Sequence, residues 1–160
     1  GLIAFLGVFI GEFLAYLSPE EMKPGRKYFV MFHVFFILVA IILGLVFLKF
    51  NPYLFVVGIV IGLVLRKPYF YFGGLLFSAG PYYWIFAILI FIIGLFIGTL
   101  LRPFIHLEYF LIDIGLYFAV GLAVFFIPYD LSSLFIGGLI SMFYLEMAKN
   151  WKEFNKWREQ

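Results

Sequence analysis

The chain has no cysteine, and its 160 residues include two histidines, one glutamine and three asparagines; only 12% of it is charged. Each scarcity removes a class of chemistry. Without cysteine there are no disulfides, no thiol nucleophile and no thiolate-held zinc or iron–sulfur centre. The two histidines lack His-Glu-x-x-His spacing, so a membrane metalloprotease has little support and no metal is expected. No P-loop, no Gly-x-Gly-x-x-Gly after a strand and no Gly-x-Ser-x-Gly elbow occurs, so no cofactor or nucleotide chemistry is implied. The formal charge of +2 gives no case for nucleic acid as a partner. Few Asn, Gln and Cys also suit a thermophile, although any strongly apolar chain is poor in them.

What remains is apolar. Two thirds of the residues are hydrophobic, 24 are Phe and 16 are Gly, and the mean hydropathy is +1.12. A soluble domain of this length has no interior large enough to hide that surface. Runs such as Val34 to Leu48 do not alternate, which argues against a β-barrel. The expected fold is therefore all-α: a polytopic integral membrane protein, multi-pass in the plasma membrane, with one transmembrane domain over 1–147. Breaks at polar and Pro/Gly clusters predict seven segments at 1–17, 28–49, 52–65, 69–80, 82–101, 109–127 and 131–147.

The third and fourth segments are short, about 21 and 18 Å of helix. They read as two full crossings, because a re-entrant hairpin would leave Arg66-Lys67 at its tip inside the membrane. With the N-terminus outside, 10 of the 11 basic residues fall on the inner side and only Lys49 lies outside. The positive-inside rule thus selects N-out, C-in. The first segment lacks a basic leader and carries Glu12, so it does not read as a cleavable signal, and Gly1 in place of Met suggests a processed or trimmed start.

A motif recurs within this apolar background: small-x-x-Ile-Gly-x-x-aliphatic, at Gly7/Gly11, Gly58/Gly62, Gly94/Gly98 and, with Ser133 as the first small residue, Gly137. Small residues four apart share a helix face and allow close packing of the GxxxG type. The motif belongs to a longer unit: Tyr-Phe at 28, 69 and 109, an outward helix, Pro-Tyr at 52, 81 and 128, then the glycine-bearing helix. Three tandem hairpin repeats result, 28–65, 69–101 and 109–147, with helix 1–17 as the second half of a fourth. Residues 148–160 form a basic amphipathic cytoplasmic tail. Met147, Trp151 and Phe154 share one helical face and Lys149, Lys152 and Lys156 the other, which suits a lipid surface. The longest polar connector, 18–27, is a docking candidate or the start of a short surface helix.

Candidate chemistry is sparse. Glu12, His33 and Asp113 are the ionisable groups inside apolar segments, all about 6–8 Å from the inner boundary. Thr99 occupies in its repeat the position of Glu12, one residue after the second Gly. A polar ring at one depth suits a substrate or ion site at the inner mouth of a pathway. The alternative is helix ties and snorkelling. His106, Glu108 and Asp113 form a loose His-x-Glu-x4-Asp cluster, and Ser18, Ser78, Ser132, Ser133 and Ser141 are the available hydroxyl nucleophiles. The reading that follows is a small transporter or channel for an ion or small solute. The alternatives are a non-catalytic assembly subunit, in a homo-oligomer or a membrane complex, and, less favoured, a lipid-modifying enzyme.

Overall fold

A computed structural model describes residues 2–100, 107–127 and 129–158. Among them there is no strand, and seven α-helices follow in order: α1 Leu2–Leu17, α2 Pro19–Phe47, α3 Pro52–Val64, α4 Pro68–Ser78, α5 Tyr83–Leu100, α6 Leu107–Phe126 and α7 Ser132–Arg158. A 3-10 turn, Gly80–Tyr82, joins α4 to α5. Gly80 there has φ +52, a left-handed conformation that a side chain would strain. Proline at the first or second position opens α2, α3 and α4, where its missing N–H costs nothing. Two stretches are long and apolar enough to cross a membrane, Gly25–Phe47 and Gly80–Leu100.

Two boundaries differ from the sequence reading. The connector expected at 18–27 is helix: α2 begins at Pro19 and runs unbroken through Pro24-Gly25. Pro19 in the first turn and Glu20 and Glu21 behind it favour a helix start. Likewise α7 carries the basic tail as its own last turns, out to Arg158.

Packing gives every helix a direction. Gly7 meets Phe91 and Leu95 while Gly11 meets Leu95 and Gly98, so α1 and α5 run parallel. Gly58 meets Leu134 and Gly62 meets Gly138 and Ser141, so α3 and α7 also run parallel. Gly73 on Tyr117 and Phe77 on Gly121 make α4 and α6 a third parallel pair. Against these, α2 runs antiparallel to α5, with Phe36 on Phe96 and Phe47 on Tyr82, and α4 runs antiparallel to α7. Odd helices therefore point one way and even helices the other. A central set of α2, α5, α4 and α7 carries α1 on α5, α3 on α7 and α6 on α4. Consecutive helices touch little, so the sequence hairpin is not the packing unit.

The parallel seams share one physical device. A Cβ placed on Gly7, Gly11, Gly58, Gly98 or Gly137 would overlap a backbone carbonyl of the facing helix; Gly62 is less tight and Gly94 is in close contact only. Elsewhere the fold uses glycine as a socket: Phe135 fills the space above Gly74, Tyr71 that above Gly138 and Phe77 that above Gly121. The apolar core between the central helices holds Tyr71, Phe72, Leu75, Leu76, Phe86, Ile90, Ile136 and Leu139, all essentially inaccessible. Outside it, large apolar side chains stand exposed on every helix except the deeply placed α4, where Phe77 alone does so; examples are Phe13, Phe35, Val60, Trp84, Phe125 and Tyr144.

Gly115 offers an internal control, because nothing lies within 4 Å of its Cβ position. In detergent, Gly11→Ala and Gly58→Ala are each expected to destabilise by about 1–3 kcal/mol through overpacking. Gly115→Ala should be neutral or stabilise by up to ~1 kcal/mol. Reversible unfolding of the three variants measures the difference.

Candidate functional site

The alternating directions gather the helix junctions at two ends. One end holds the turns at 48–51 and 79–82 and residues 129–131, and is closed by hydrogen bonds. Ser133 Oγ donates to the Lys49 carbonyl at 2.9 Å and accepts from the Asn51 N–H at 2.7 Å. Ser132 Oγ donates to the same carbonyl at 3.2 Å, and the Asp130 carboxylate accepts from the Ser132 N–H at 3.0 Å. Asn51 in turn caps α3 by accepting from the Tyr53 and Leu54 N–H groups. This polar knot ties the α2–α3 turn to the start of α7, and Phe47 stacked on Tyr82 adds the α4–α5 turn.

The opposite end is basic. It carries the first turns of α2 with Lys23, Arg26 and Lys27, the α3–α4 turn with Arg66 and Lys67, and the last turns of α7 with Lys149, Lys152, Lys156 and Arg158. Its helices do not finish level. Counted from the closed end, α4 has 11 residues and α3 has 13, while α5 has 18 and α2 has 29. At 1.5 Å per residue α4 stops about 10 Å before α5 does. The Arg66-Lys67 turn thus stops short of the level at which α5 ends.

That turn is pinned. Tyr71 Oη donates to the Leu65 carbonyl at 2.9 Å, its ring lying over Gly138. The Leu65 N–H reaches Ile61 at 2.7 Å, and Arg66 Nε reaches the Leu63 carbonyl at 3.4 Å. Arg66 is exposed and Lys67 half-buried.

The four polar groups expected at one depth are distributed over four helices. Glu12 and Thr99 are neighbours across the α1–α5 seam, where the Glu12 backbone lies against Gly98. Thr99 is buried and its hydroxyl donates to its own helix, at the Phe96 carbonyl, 2.8 Å away; Glu12 is half-buried. His33 lies on the other side of α5. It is 9% exposed, and its Nδ1 is without a hydrogen-bond partner. The α4–α6 register, Gly73 on Tyr117, puts the backbone of Asp113 level with Tyr69. The side chains of Asp113 and Glu108 lie outside the described residues, as does His106. Thus α5 separates Glu12 from His33, and α6 packs on α4.

Four of the five hydroxyls proposed as nucleophiles are engaged with backbone, while Ser18 at the start of α2 is exposed and makes no capping bond. Besides Ser132 and Ser133, Ser141 donates to the Ile59 carbonyl at 2.8 Å and Ser78 to the Gly74 carbonyl at 2.7 Å. Among the described residues no group of three His, Cys, Asp or Glu side chains is placed to hold a metal. The early stop of α4 at the Arg66-Lys67 turn and the Tyr71 tie were missed by the sequence reading. The only available signal was the shortness of segments three and four.

Ser133→Ala is expected to cost about 1–3 kcal/mol, since it strands the Asn51 N–H and leaves the Lys49 carbonyl to Ser132 alone. Ser78→Ala should change stability by less than ~0.5 kcal/mol, because it removes only a back-bond within α4. Thermal unfolding of both variants checks the contrast. Compared with known proteins, the chain matches no family model, no curated protein and no solved structure.

Proposed function

We propose that the chain is a multi-pass membrane protein, N-terminus outside and basic end inside, that moves an ion or small solute by alternating access. The observation that carries this reading is the recessed α3–α4 turn. Apolar side chains exposed around the outer helices match a lipid surface and would be costly in water. The odd–even alternation of helix directions fits seven segments threaded back and forth. With α5 spanning the bilayer, Arg66 and Lys67 lie about 10 Å inside the inner boundary. Charges at that depth face water or protein, not lipid. The recess is therefore water-filled and open to the inner side.

A packed core and a hydrogen-bonded knot close the outer half, while the inner half is set back around the turn. That asymmetry suits the inward-open state of a carrier better than a channel, which needs a continuous path. His33 and Thr99 on α2 and α5, Glu12 behind α5 and Asp113 on α6 surround the inner half and are the proposed solute-site residues of this reading.

Single cysteines test it on a chain that has none of its own. Arg66→Cys should react with a membrane-impermeant maleimide from the inner face only, and Tyr53→Cys, 84% exposed at the closed end, from the outer face only. Failure of position 66 to react from either face in folded protein removes the recess. Reaction of both positions from one face removes the topology.

A second reading, an assembly subunit, draws on α6. Gly115, Ala119 and Ala123 are exposed at four-residue spacing, the spacing at which glycines elsewhere in this fold meet a parallel helix. Ala119→Cys should give a disulfide-linked dimer in membranes if two copies meet there, and monomer only if they do not.

A further inference from the structure

We propose that α1 and α5 move as one rigid body against the rest of the bundle, hinged at the α4–α5 turn. The movement supplies the moving part of the alternating-access reading above, on which its direction rests.

Glycine contacts divide the helices into two sets. The atoms nearest Gly7 and Gly11 of α1 all belong to α5, and those nearest Gly94 and Gly98 of α5 all belong to α1. The second set is chained together. Gly58 and Gly62 of α3 lie on α7, Gly74 of α4 seats Phe135 of α7, Gly138 of α7 seats Tyr71 of α4, and Gly73 of α4 lies on Tyr117 of α6. Helix α2 joins that set, for its Gly44 takes Ile136 of α7. The Lys49 carbonyl and the Asn51 N–H just past its end are held by Ser132 and Ser133. Among the described residues no close glycine contact links one set to the other.

Backbone seams and ring contacts resist sliding unequally. A shift along the α1–α5 seam carries the Phe91 and Leu95 carbonyls off glycine and onto residues whose Cβ atoms have no room there. Between the sets the packing is side chain on side chain. Phe96 of α5 stacks with Phe32 and Phe36 of α2 at 5.6 and 5.7 Å and tilts against Phe29 at 6.2 Å. Aromatic pairs keep their attraction over centroid separations of about 4.5–7 Å, so these rings slide where the glycine seams do not. Hinge and shear movements combine such small sliding with a few residues that absorb the turn.

The hinge lies at the closed end. There α4 passes to α5 through the single 3-10 turn Gly80–Tyr82. Gly80 has φ +52, is exposed and has nothing within 4 Å of its Cβ position. Phe47 stacked on Tyr82 at 4.8 Å keeps that end together, so a swing displaces the basic ends of α1 and α5 most. At the basic end α1 passes to α2 through Ser18 alone. The Pro24-Gly25 step in α2 is where a helix bends, which lets the first turns of α2 follow α1.

The test puts pairs of spin labels on single introduced cysteines in phosphatidylcholine nanodiscs and reads their distances by pulsed electron resonance. Phe13→Cys with Ile88→Cys measures within the α1–α5 body, and Val57→Cys with Tyr144→Cys within the other. Phe13→Cys with Tyr144→Cys measures between them, and all four positions are exposed. The between-body distribution should be broader than either within-body one. Phe96→Leu, which thins the ring contact, should shift the between-body distance and leave the other two in place. A between-body distribution as narrow as the others in both chains overturns the proposal, as does a within-body pair that spreads with it. Where Phe96→Leu does not fold, the parent distributions decide alone. Maleimide reactivity of Arg66→Cys separates the two failures. A reactive position with immobile bodies sinks only the hinge, and mobile bodies with an unreactive position sink the inward-open reading.

Discussion

Where two helices each turn a stripe of small residues toward the other, they give up side-chain interdigitation and let their backbones touch. The α1–α5 and α3–α7 seams are of this kind, with glycine Cα atoms against the carbonyls of the facing helix. Dispersion contacts multiply at that distance, and lipid cannot compete for a groove it does not fill. The rest of the architecture depends on these seams. They fix which helices are neighbours, and because both partners carry the stripe in register they fix a parallel direction. Together with the antiparallel α2–α5 and α4–α7 contacts, these parallel pairs give the alternation of all seven.

The seams also explain how so little buried surface can hold the outer helices. On α3 only Gly58 and Gly62 are buried, and on α1 the buried face is Ala4, Gly7, Val8, Gly11 and Ala15. Such helices present nearly all their large side chains outward. In water that arrangement would favour aggregation; in a bilayer it is the expected distribution. The central helices do the conventional packing, with aromatic rings seated in the sockets that Gly74, Gly121 and Gly138 leave.

Much of this was legible in the residues, for identifiable reasons. A four-residue period of small side chains survives any tertiary rearrangement, because it is a property of one helix face. The basic residues gathered at one end because the alternating helix directions bring together the segments that carry them. The candidate site was less legible. Glu12 and Thr99 do meet, since the repeat puts both beside the same glycine seam. His33 and Asp113 share a level but stand on different helices, and linear depth says nothing about what lies between. The serines looked like free hydroxyls in the sequence. Carbonyls some eighty residues away, at Lys49 and Ile59, claim three of them.

Helical class, seam residues and the charge asymmetry of the two ends were determined by the sequence alone, because each is a local pattern that any fold of this chain must keep. Partner choice was decided by tertiary structure: α1 joins α5 and α3 joins α7 because complementary stripes meet there, not because the helices are consecutive. Tertiary structure also decided the depth of Arg66 and Lys67. Segment length suggested two thin crossings, yet the hydrogen-bonded end leaves the whole shortfall at the basic end. The same two charges thereby stand short of the level at which α5 ends.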